Sequence, residues 1–181
     1  MRGMRSKYAL ILVAITYLAI LCSSIRSLGT VTIDFFVKDT YWGRYQSPTT
    51  AEPGDKAIPL TVVVQQRSDY YLVGVRGYLY LQWPFKDAVD DDYIADTDAV
   101  IIDPEEGYER YVPPYGSFYF TFVLDIDENA TRGEYQLVLE IANHTAWNKT
   151  GDTWYSCTSV RINITVRISN RAPEVKDQEP E

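Results

Sequence analysis

Cysteine, histidine and positive charge are scarce in this sequence of 181 residues. It has two cysteines, one histidine, and 17 basic against 25 acidic side chains, which gives a formal net charge of −8. An acidic chain repels phosphate backbones, so we expect no nucleic acid as partner. Cys22 lies in an apolar N-terminal run and Cys157 begins a late strand, so we expect no intramolecular disulfide between them.

The sequence also lacks the residues of a familiar active site. Its one histidine, His144, lies within an Asn-His-Thr triplet, where we expect a solvent-exposed loop residue. A catalytic nucleophile needs a base that is held by a third group, and the G-x-S-x-G, HExxH and phosphate-loop motifs are all missing. We therefore expect a protein that is not an enzyme and that has no cofactor, apart from the calcium considered below.

Helical periodicity is missing after residue 30, and a period of two replaces it. Near the C-terminus, for example, Val160 and Ile162 share one strand face while Arg161 lies on the other. Gly, Pro and Asp separate such stretches, as turn residues do. About seven short strands without helices predict an all-β fold, an immunoglobulin-like antiparallel β-sandwich over residues 28–168. We predict strands near residues 31–38, 57–66, 73–82, 98–103, 116–125, 134–142 and 157–168.

One local pattern supports the immunoglobulin-like interpretation. Gly133 is followed by Tyr135 at the start of the penultimate long strand, after the polar loop 127–133. Immunoglobulin-like sandwiches often place a tyrosine there, and its hydroxyl bonds back to the preceding loop. We predict that Gly133 and Tyr135 form this structural corner. An ordinary strand tyrosine packed on the core is the alternative.

The two ends of the chain differ from the predicted sandwich. Residues 8–25 form an uncharged apolar run that basic residues precede, so we predict an apolar helix within residues 1–27. Two interpretations stay open: a cleaved signal peptide, or a signal anchor that contacts the membrane through residues 8–25. Both predict export of the remaining chain. Residues 169–181 are polar and contain two prolines, so we predict a disordered tail.

Four N-x-S/T triplets also favour an exported protein, because they are acceptors of N-linked glycans. Three of them fall within a window of residues that we interpret as loops and turns, whereas the fourth lies in a predicted strand and requires a solvent-facing side chain. The predicted glycosylation sites are Asn129, Asn143, Asn148 and Asn163.

Carboxylates crowd the stretch DAVDDDYIADTDAVIIDPEEGYE, residues 87–109, which we interpret as one long connection. Calcium takes oxygen ligands that flexible acidic loops can supply, although the spacing matches no defined calcium loop. A solvated acidic loop is the alternative. If calcium binds, the predicted ligands are Asp90, Asp91, Asp92, Asp96 and Asp98.

Aromatic residues form a second group of candidates, since exposed Tyr and Trp can stack on sugars or anchor a protein partner. If Leu79 and Leu81 face the core, Tyr78 and Tyr80 form a stripe on the outer face. Packing of these tyrosines within the fold is the alternative. The other members of the group are Tyr41, Trp42, Tyr45, Tyr70, Tyr71 and Trp83.

Two stretches of the chain resemble a known family. The first runs from Trp42-Gly43 through the turn Pro53-Gly54-Asp55 to the strand Leu60–Val64. The second is a motif of apolar residues, then Ala, Gly and Tyr, then alternating apolar strand residues. Its members here are Val123 to Ile126, Ala130, Gly133, Tyr135, Leu137, Leu139 and Ile141. Over residues 31–168 the chain resembles the archaeal S-layer-related exported domains, which are immunoglobulin-like.

This resemblance implies an archaeal host, a cell-envelope location and a structural or binding role, and it implies no catalytic residues. Members of the family often have several such domains and a C-terminal membrane helix, whereas residues 169–181 here are polar. We therefore expect an N-terminal anchor or an associated subunit that contacts other envelope proteins. The alternative is an extracellular module that binds a glycan or calcium through the aromatic surface or the acidic loop.

Overall fold

The computed structural model describes residues 29–169, which form fourteen β-strands. The prediction of an all-β chain is confirmed, with antiparallel sheets that are consistent with a β-sandwich. The predicted segment 1–27 with its apolar helix, and the predicted tail beyond Ser169, lie outside the described residues. Between residues 29 and 169, no helix is long and apolar enough to cross a membrane. The strands are β1 (Thr30–Val31), β2 (Phe35–Arg44), β3 (Ser47–Pro48), β4 (Ile58–Gln66), β5 (Tyr71–Val73), β6 (Arg76–Tyr80), β7 (Phe85–Asp87), β8 (Ile94–Asp98), β9 (Val100–Ile102), β10 (Ser117–Ile126), β11 (Gly133–Ala142), β12 (Thr145–Asn148), β13 (Thr153–Cys157) and β14 (Val160–Ile168).

The first sheet has the order β3-β2-β4-β10-β7, and β9 also pairs with β10. Along β10 every second side chain, from Phe118 to Ile126, is buried and the intervening ones are half-buried. β4 runs between β2 and β10, and its side chains from Leu60 to Val64 are all buried. Its β-branched residues suit such a central strand.

The second layer consists of three long strands that are each interrupted once. One of its sheets has the order β14-β11-β6-β8 and the other the order β13-β12-β5, with β1 added in parallel on β13. Because β5 continues into β6, β11 into β12 and β13 into β14, the two sheets share one strand order. Two of the interruptions contain Gly74 and Asn143, with φ of 68° and 53°. A Cβ at Gly74 would lie 3.2 Å from the carbonyl oxygen of Asn143, so glycine permits this close approach.

A hydrophobic core joins the inner faces of the two layers. The ring of Phe120 in β10 lies on Gly77 in β6, where a Cβ would come within 2.9 Å of the ring. At one edge Trp42 of β2 is buried, and its indole N–H donates a 2.8 Å hydrogen bond to the carbonyl of Arg167 in β14. These contacts hold the layers face to face, as in other packed sheets.

Some predicted strands differ from the observed ones. The strand predicted at 31–38 is instead Phe35–Arg44, because the chain keeps pairing with β4 up to Trp42. The hairpin of β12 and β13 was not predicted, since aromatic and polar residues among turn formers hide its alternation. The prediction of about seven strands was therefore too low.

The prediction that residues 87–109 form one long connection was wrong, because this stretch contains edge strands. β7 pairs with β10 of the first sheet, β8 pairs with β6 of the second layer, and β9 returns to β10. The chain thus crosses between the layers along one side of the molecule. Aspartates on exposed positions obscure the strand pattern here, because the edge strands bury few side chains.

Candidate functional site

The five aspartates that were predicted as calcium ligands divide between a turn and a strand. Basic side chains already neutralise some of them. Lys86 Nζ lies 3.0 Å from Asp91 Oδ1, and the guanidinium of Arg76 contacts the carboxylate of Asp96. The turn after β7 holds Asp90, Asp91 and Asp92, and β8 holds Asp96 and Asp98.

A buried carboxylate organises the acidic turn. Asp87 Oδ2 accepts hydrogen bonds from the backbone N–H groups of Val89 and Asp90, at 3.2 and 2.9 Å. Asp92 Oδ1 accepts another from the N–H of Ile94 at 2.9 Å. Calcium requires about six to eight oxygens, and no three His, Cys, Asp or Glu side chains in the described part of the chain are placed to hold a metal. The geometry offers no preformed cage, and calcium binding stays a prediction.

The four predicted glycosylation sites lie in different surroundings. Asn129, Asn143 and Asn163 are exposed, and Asn148 is half-buried at the end of β12. Asn163 is in β14 and faces solvent, as modification within a strand requires. The Nδ2 of Asn143 donates a 2.8 Å hydrogen bond to the hydroxyl of Tyr78, which a glycan on that nitrogen would disturb. Three of the four asparagines are therefore sterically accessible on the surface.

Tyr135 joins the loop before β11 to the core. Its hydroxyl donates a 2.6 Å hydrogen bond to the carbonyl of Thr131, and its ring meets Phe85 edge to face with 5.2 Å between centroids. Gly133 begins the strand with φ of 149°, a backbone conformation that residues other than glycine rarely adopt. The two residues thus fix the path of the chain at this corner.

His144 is buried, so the prediction of a solvent-exposed loop residue was wrong. It follows Asn143 in the interruption between β11 and β12, where the turn of the backbone directs its ring inward. The ring meets Phe35 edge to face at 5.4 Å, and neither ring nitrogen has a hydrogen-bond partner of normal geometry among residues 29–169. Burial lowers the pKa of His144 and the Ala142 carbonyl only partly opposes this, so the side chain is neutral at physiological pH. A neutral imidazole surrounded by apolar groups is not placed to act as a base on an external substrate.

The tyrosines of β6 lie on the outer face, because Leu79 and Leu81 are buried. The hydroxyl of Tyr80 donates to Glu140 at 2.9 Å. The guanidinium of Arg161 lies 5.1 Å from the centroid of the Tyr80 ring and also binds Glu140. Neighbouring side chains thus already contact the Tyr80 end of this stripe. Trp42, another of the predicted aromatic candidates, is a core residue.

Tyr71 was named as a candidate from the sequence, but the larger aromatic cluster to which it belongs was not. Trp147 of β12 stacks on Trp154 of β13, with 5.7 Å between centroids and an interplanar angle of 17°. On its other side Trp147 pairs with Tyr71 of β5. Tyr108 and Tyr111, from the loop after β9, cover these rings. The five rings form one contacting cluster in which Tyr71 is buried and the other four are half-buried, so they serve as a small outer core.

A concave surface with exposed rings lies at the opposite end of β10. We name it the Trp83–Tyr93 cleft; its volume is about 180 Å³. Trp83 and Tyr93 are 54% and 49% exposed, and neither the indole N–H nor the tyrosine hydroxyl makes a hydrogen bond within residues 29–169. The cleft is lined by Lys56, Trp83, Pro84, Phe85, Lys86, Asp91, Tyr93, Asp125 and Asp127.

Three separate stretches of sequence build the cleft. Phe85 is fully buried and anchors the turn that carries Trp83, since its N–H donates to the carbonyl of Gln82 at 2.8 Å. Strand β7 pairs with the end of β10 and places Lys86 opposite Asp125. The carbonyl of Tyr93 accepts a 2.8 Å bond from Leu81, which fixes the other wall.

The charges in the cleft are largely paired. Lys56 Nζ lies 3.0 Å from Asp125 Oδ2, and Asp125 Oδ1 accepts the N–H of Ala57 at 2.9 Å. The pKa of Asp125 is lowered, first by the hydrogen bond from Ala57 and then by Lys56. The hydrogen bond to Asp91 raises the pKa of Lys86. Both shifts favour the charged forms of Asp125 and Lys86, which present fixed hydrogen-bond acceptors and donors beside the rings.

No family model matches the chain, and no curated protein matches it. Within residues 29–169, the Trp83–Tyr93 cleft combines concavity, exposed rings and polar groups. Sequence reasoning had singled out Trp83 as an aromatic and Asp91 as an acidic residue, without connecting them. Only the pairing of β7 with β10 brings them beside Asp125 and Asp127.

Proposed function

We propose that the protein is a non-catalytic exported protein of the cell envelope, with one immunoglobulin-like sandwich that acts in S-layer-associated structure or adhesion. The observation that carries the immunoglobulin-like part of this proposal is the strand order. In immunoglobulin-like domains one sheet has the order A-B-E-D and the other contains C, F and G, with a further strand beside C in some variants. The orders β2-β4-β10 and β6-β11-β14 follow A-B-E and C-F-G of that scheme. The edge strands depart from it, because β7 beside β10 precedes β8 beside β6 in the chain, whereas D follows the strand beside C in the scheme.

The Tyr135 corner agrees with this assignment. Tyr135 stands at the start of the strand that corresponds to F, and its hydroxyl binds the carbonyl of Thr131 four residues upstream. This is the contact that a tyrosine corner makes. The resemblance to S-layer-related domains rests partly on the same residues, Gly133 and Tyr135, so the fold and the resemblance support one proposal.

The N-terminal apolar run and the glycosylation triplets support export. The uncharged run of residues 8–25 follows basic residues, as in a signal peptide or a signal anchor. Asn129, Asn143 and Asn163 are exposed sequon asparagines that a glycosylating enzyme could reach. The single histidine is buried and lacks a hydrogen-bonded partner within residues 29–169, which supports a role without catalysis.

The mechanism that we propose is contact with other envelope proteins through the faces and outer strands of the sandwich. β14 and β8 are the outer strands of one of the two four-stranded sheets in the second layer. β8 carries Asp96 and Asp98, which face Arg76, and such charges oppose uncontrolled edge pairing. β14 is a nine-residue outer strand and is therefore the better candidate for strand addition.

Surface labelling of intact cells of the native host tests the proposal. Lys56 and Lys86 have side chains that are 70% and 43% exposed, so an amine reagent that does not cross membranes should modify them. We expect labelled peptides from the sandwich while a cytoplasmic control protein stays unlabelled. A chain that is labelled only after the cells are lysed would contradict export.

A ligand-binding module is the second candidate, and one observation favours its glycan form. The Trp83–Tyr93 cleft presents two exposed rings beside ionised side chains, which is the chemistry that sugar recognition uses. This candidate is compatible with the first, because an adhesion protein recognises its partner through such a site.

A further inference from the structure

We propose that the Trp83–Tyr93 cleft binds one ring of a neutral saccharide. This inference rests on the proposed envelope function for its biological context, since glycans are abundant on cell surfaces, but its chemistry depends on the cleft alone. It names both the site and the class of ligand through which the sandwich would adhere.

The two rings supply the apolar part of the site. Trp83 and Tyr93 are each about half exposed although both are large aromatic side chains, and both line the cleft. The C–H faces of a pyranose are apolar and stack on aromatic faces, whereas its hydroxyl groups project from the edge. Within residues 29–169 no other ring covers Trp83, in contrast to Trp147, which is enclosed by its neighbours.

The polar lining supplies partners for the sugar hydroxyl groups. Asp127 uses Oδ1 for the side chain and N–H of Asn129, and no described residue bonds its Oδ2. The indole N–H of Trp83 and the hydroxyl of Tyr93 are unused donors within the described chain. A sugar hydroxyl can both donate and accept, so it suits a wall that offers a carboxylate oxygen next to N–H and O–H groups.

The charges favour a neutral ligand. The cleft contains three carboxylates and two ammonium groups, and Lys56 and Lys86 are held by Asp125 and Asp91 at 3.0 Å. A ligand cation on Asp125 or Asp91 would have to displace a lysine, which leaves Asp127 as the one carboxylate of the cleft that no lysine holds. Lys86 Nζ already lies 5.9 Å from the Tyr93 centroid. A phosphate or sulfate would meet an excess of negative charge.

The size of the cleft favours a single ring. Its volume of about 180 Å³ is below the range of about 300–1,000 Å³ that is typical of drug-sized ligands. The site is therefore suited to a terminal sugar or to one unit of a longer chain that continues into solvent. Affinity for a single sugar is expected to be weak, with a dissociation constant of about 1 mM.

The test uses the full-length chain in micelles of a detergent without a sugar headgroup. Saturation-transfer NMR measures binding of the methyl glycosides of glucose, galactose, mannose and N-acetylglucosamine. We expect at least one of them to bind, and we expect Trp83→Ala and Tyr93→Ala each to weaken that binding about tenfold through loss of one stacked ring. Tetramethylammonium chloride should not displace the sugar.

Tyr115→Ala is the matched control. Tyr115 is 54% exposed and precedes β10 at the end remote from the cleft, so its removal should leave sugar binding unchanged. Near-ultraviolet circular dichroism verifies that each variant keeps its fold, and either cleft variant that passes is sufficient for the comparison. The proposal is overturned if none of the four glycosides binds at about 10 mM, if both cleft variants bind like the parent, or if tetramethylammonium competes.

The sugar-binding and cell-labelling experiments distinguish failure of this inference from failure of the proposed function. A chain that is labelled on intact cells but binds no sugar would retain its envelope role and lose the cleft assignment. A chain that binds sugar through Trp83 and Tyr93 but is not labelled on intact cells would retain the site and lose the envelope role.

Discussion

Tyr135, Tyr80 and Tyr93 carry the same side chain but differ in what their hydroxyl groups contact. The hydroxyl of Tyr135 binds a backbone carbonyl in the preceding loop, and that of Tyr80 binds a carboxylate on the adjacent strand. The hydroxyl of Tyr93 has no partner among residues 29–169, and half of its side chain is exposed. A hydroxyl that is bonded within the protein has a structural role, whereas an exposed one beside a concave surface is open to a ligand.

The burial of neutral His144 leads to a prediction about how the stability of the fold depends on pH. Its pKa is lowered in the folded protein by burial, whereas in the unfolded chain it is about 6.5. Below that value the unfolded chain binds the proton first, so stability falls as pH decreases toward the lowered pKa. We expect the urea midpoint of the parent protein to be lower at about pH 5 than at about pH 7.5, and His144→Leu to remove most of that difference.

The carboxylates provide a control for this experiment. Hydrogen bonds, from Arg161 to Glu140 and from Ala57 to Asp125, lower the pKa of each carboxyl, so both titrate below the histidine window. Their contributions to stability are present above the unfolded pKa of about 4 and are lost only at lower pH. A parent protein with equal midpoints at the two pH values, or a His144→Leu variant with an unchanged difference, would contradict the assignment.

Residues whose roles depend on local sequence could be predicted, and those whose roles depend on long-range packing could not. The position of Tyr135 follows from a Gly-x-Tyr pattern after a polar loop, which is a local signal. The burial of His144 depends on Phe35, more than one hundred positions away, and on a turn of the backbone at Asn143. A polar triplet with a sequon gives no sign of that environment.

The long strands show the same division at the scale of elements. β10 alternates buried and half-buried side chains over ten residues, and β11 alternates half-buried with exposed ones before it alternates buried with half-buried ones from Leu137 on. The predicted ranges 116–125 and 134–142 agree with these strands within one residue. β7, β8 and β9 have three to five residues each, and they cross between the layers. Their pattern is too short and too acidic for the period of two to be recognised.

The contact between β6 and β10 makes a prediction at this scale. Gly77 has no side chain where the ring of Phe120 lies, and a Cβ would come within 2.9 Å of that ring. Gly77→Ala should therefore destabilise the protein by about 1–3 kcal/mol in urea unfolding, because the layers must separate or the ring must move. Alanine has a lower conformational entropy cost than glycine, which offsets part of this loss.

A double-mutant cycle identifies the cause of that loss. Leucine at position 120 leaves space for the new methyl group, so Phe120→Leu with Gly77→Ala should lose less stability than the sum of the single changes, by at least about 0.5 kcal/mol. Gly151→Ala is the matched control, since a Cβ there would lie 3.4 Å from Thr153 Oγ1, an ordinary contact distance. Strict additivity between positions 77 and 120 would show that the layers do not meet there.

At the scale of the whole molecule, the fold class could be predicted but the cleft could not. The period of two and the turn residues are distributed along the entire chain, so they specify an all-β protein even where single boundaries are misplaced. The cleft combines Lys56, the stretch from Trp83 to Tyr93, and the end of β10. Such a site exists only after three distant segments pair, and the sequence order of its residues contains no signal of it.

The central claim is that this sandwich is an exported protein of the cell envelope, and the intact mass of the protein isolated from its native host tests it most directly. Membrane and soluble fractions are measured separately. The account predicts a species that carries mass beyond its polypeptide, with the excess mapped by peptide analysis to one or more of Asn129, Asn143, Asn148 and Asn163. Retention of residues 8–25 would identify a membrane anchor, and their loss a cleaved signal peptide. An unmodified chain of 20.8 kDa in the cytoplasmic fraction would contradict the account.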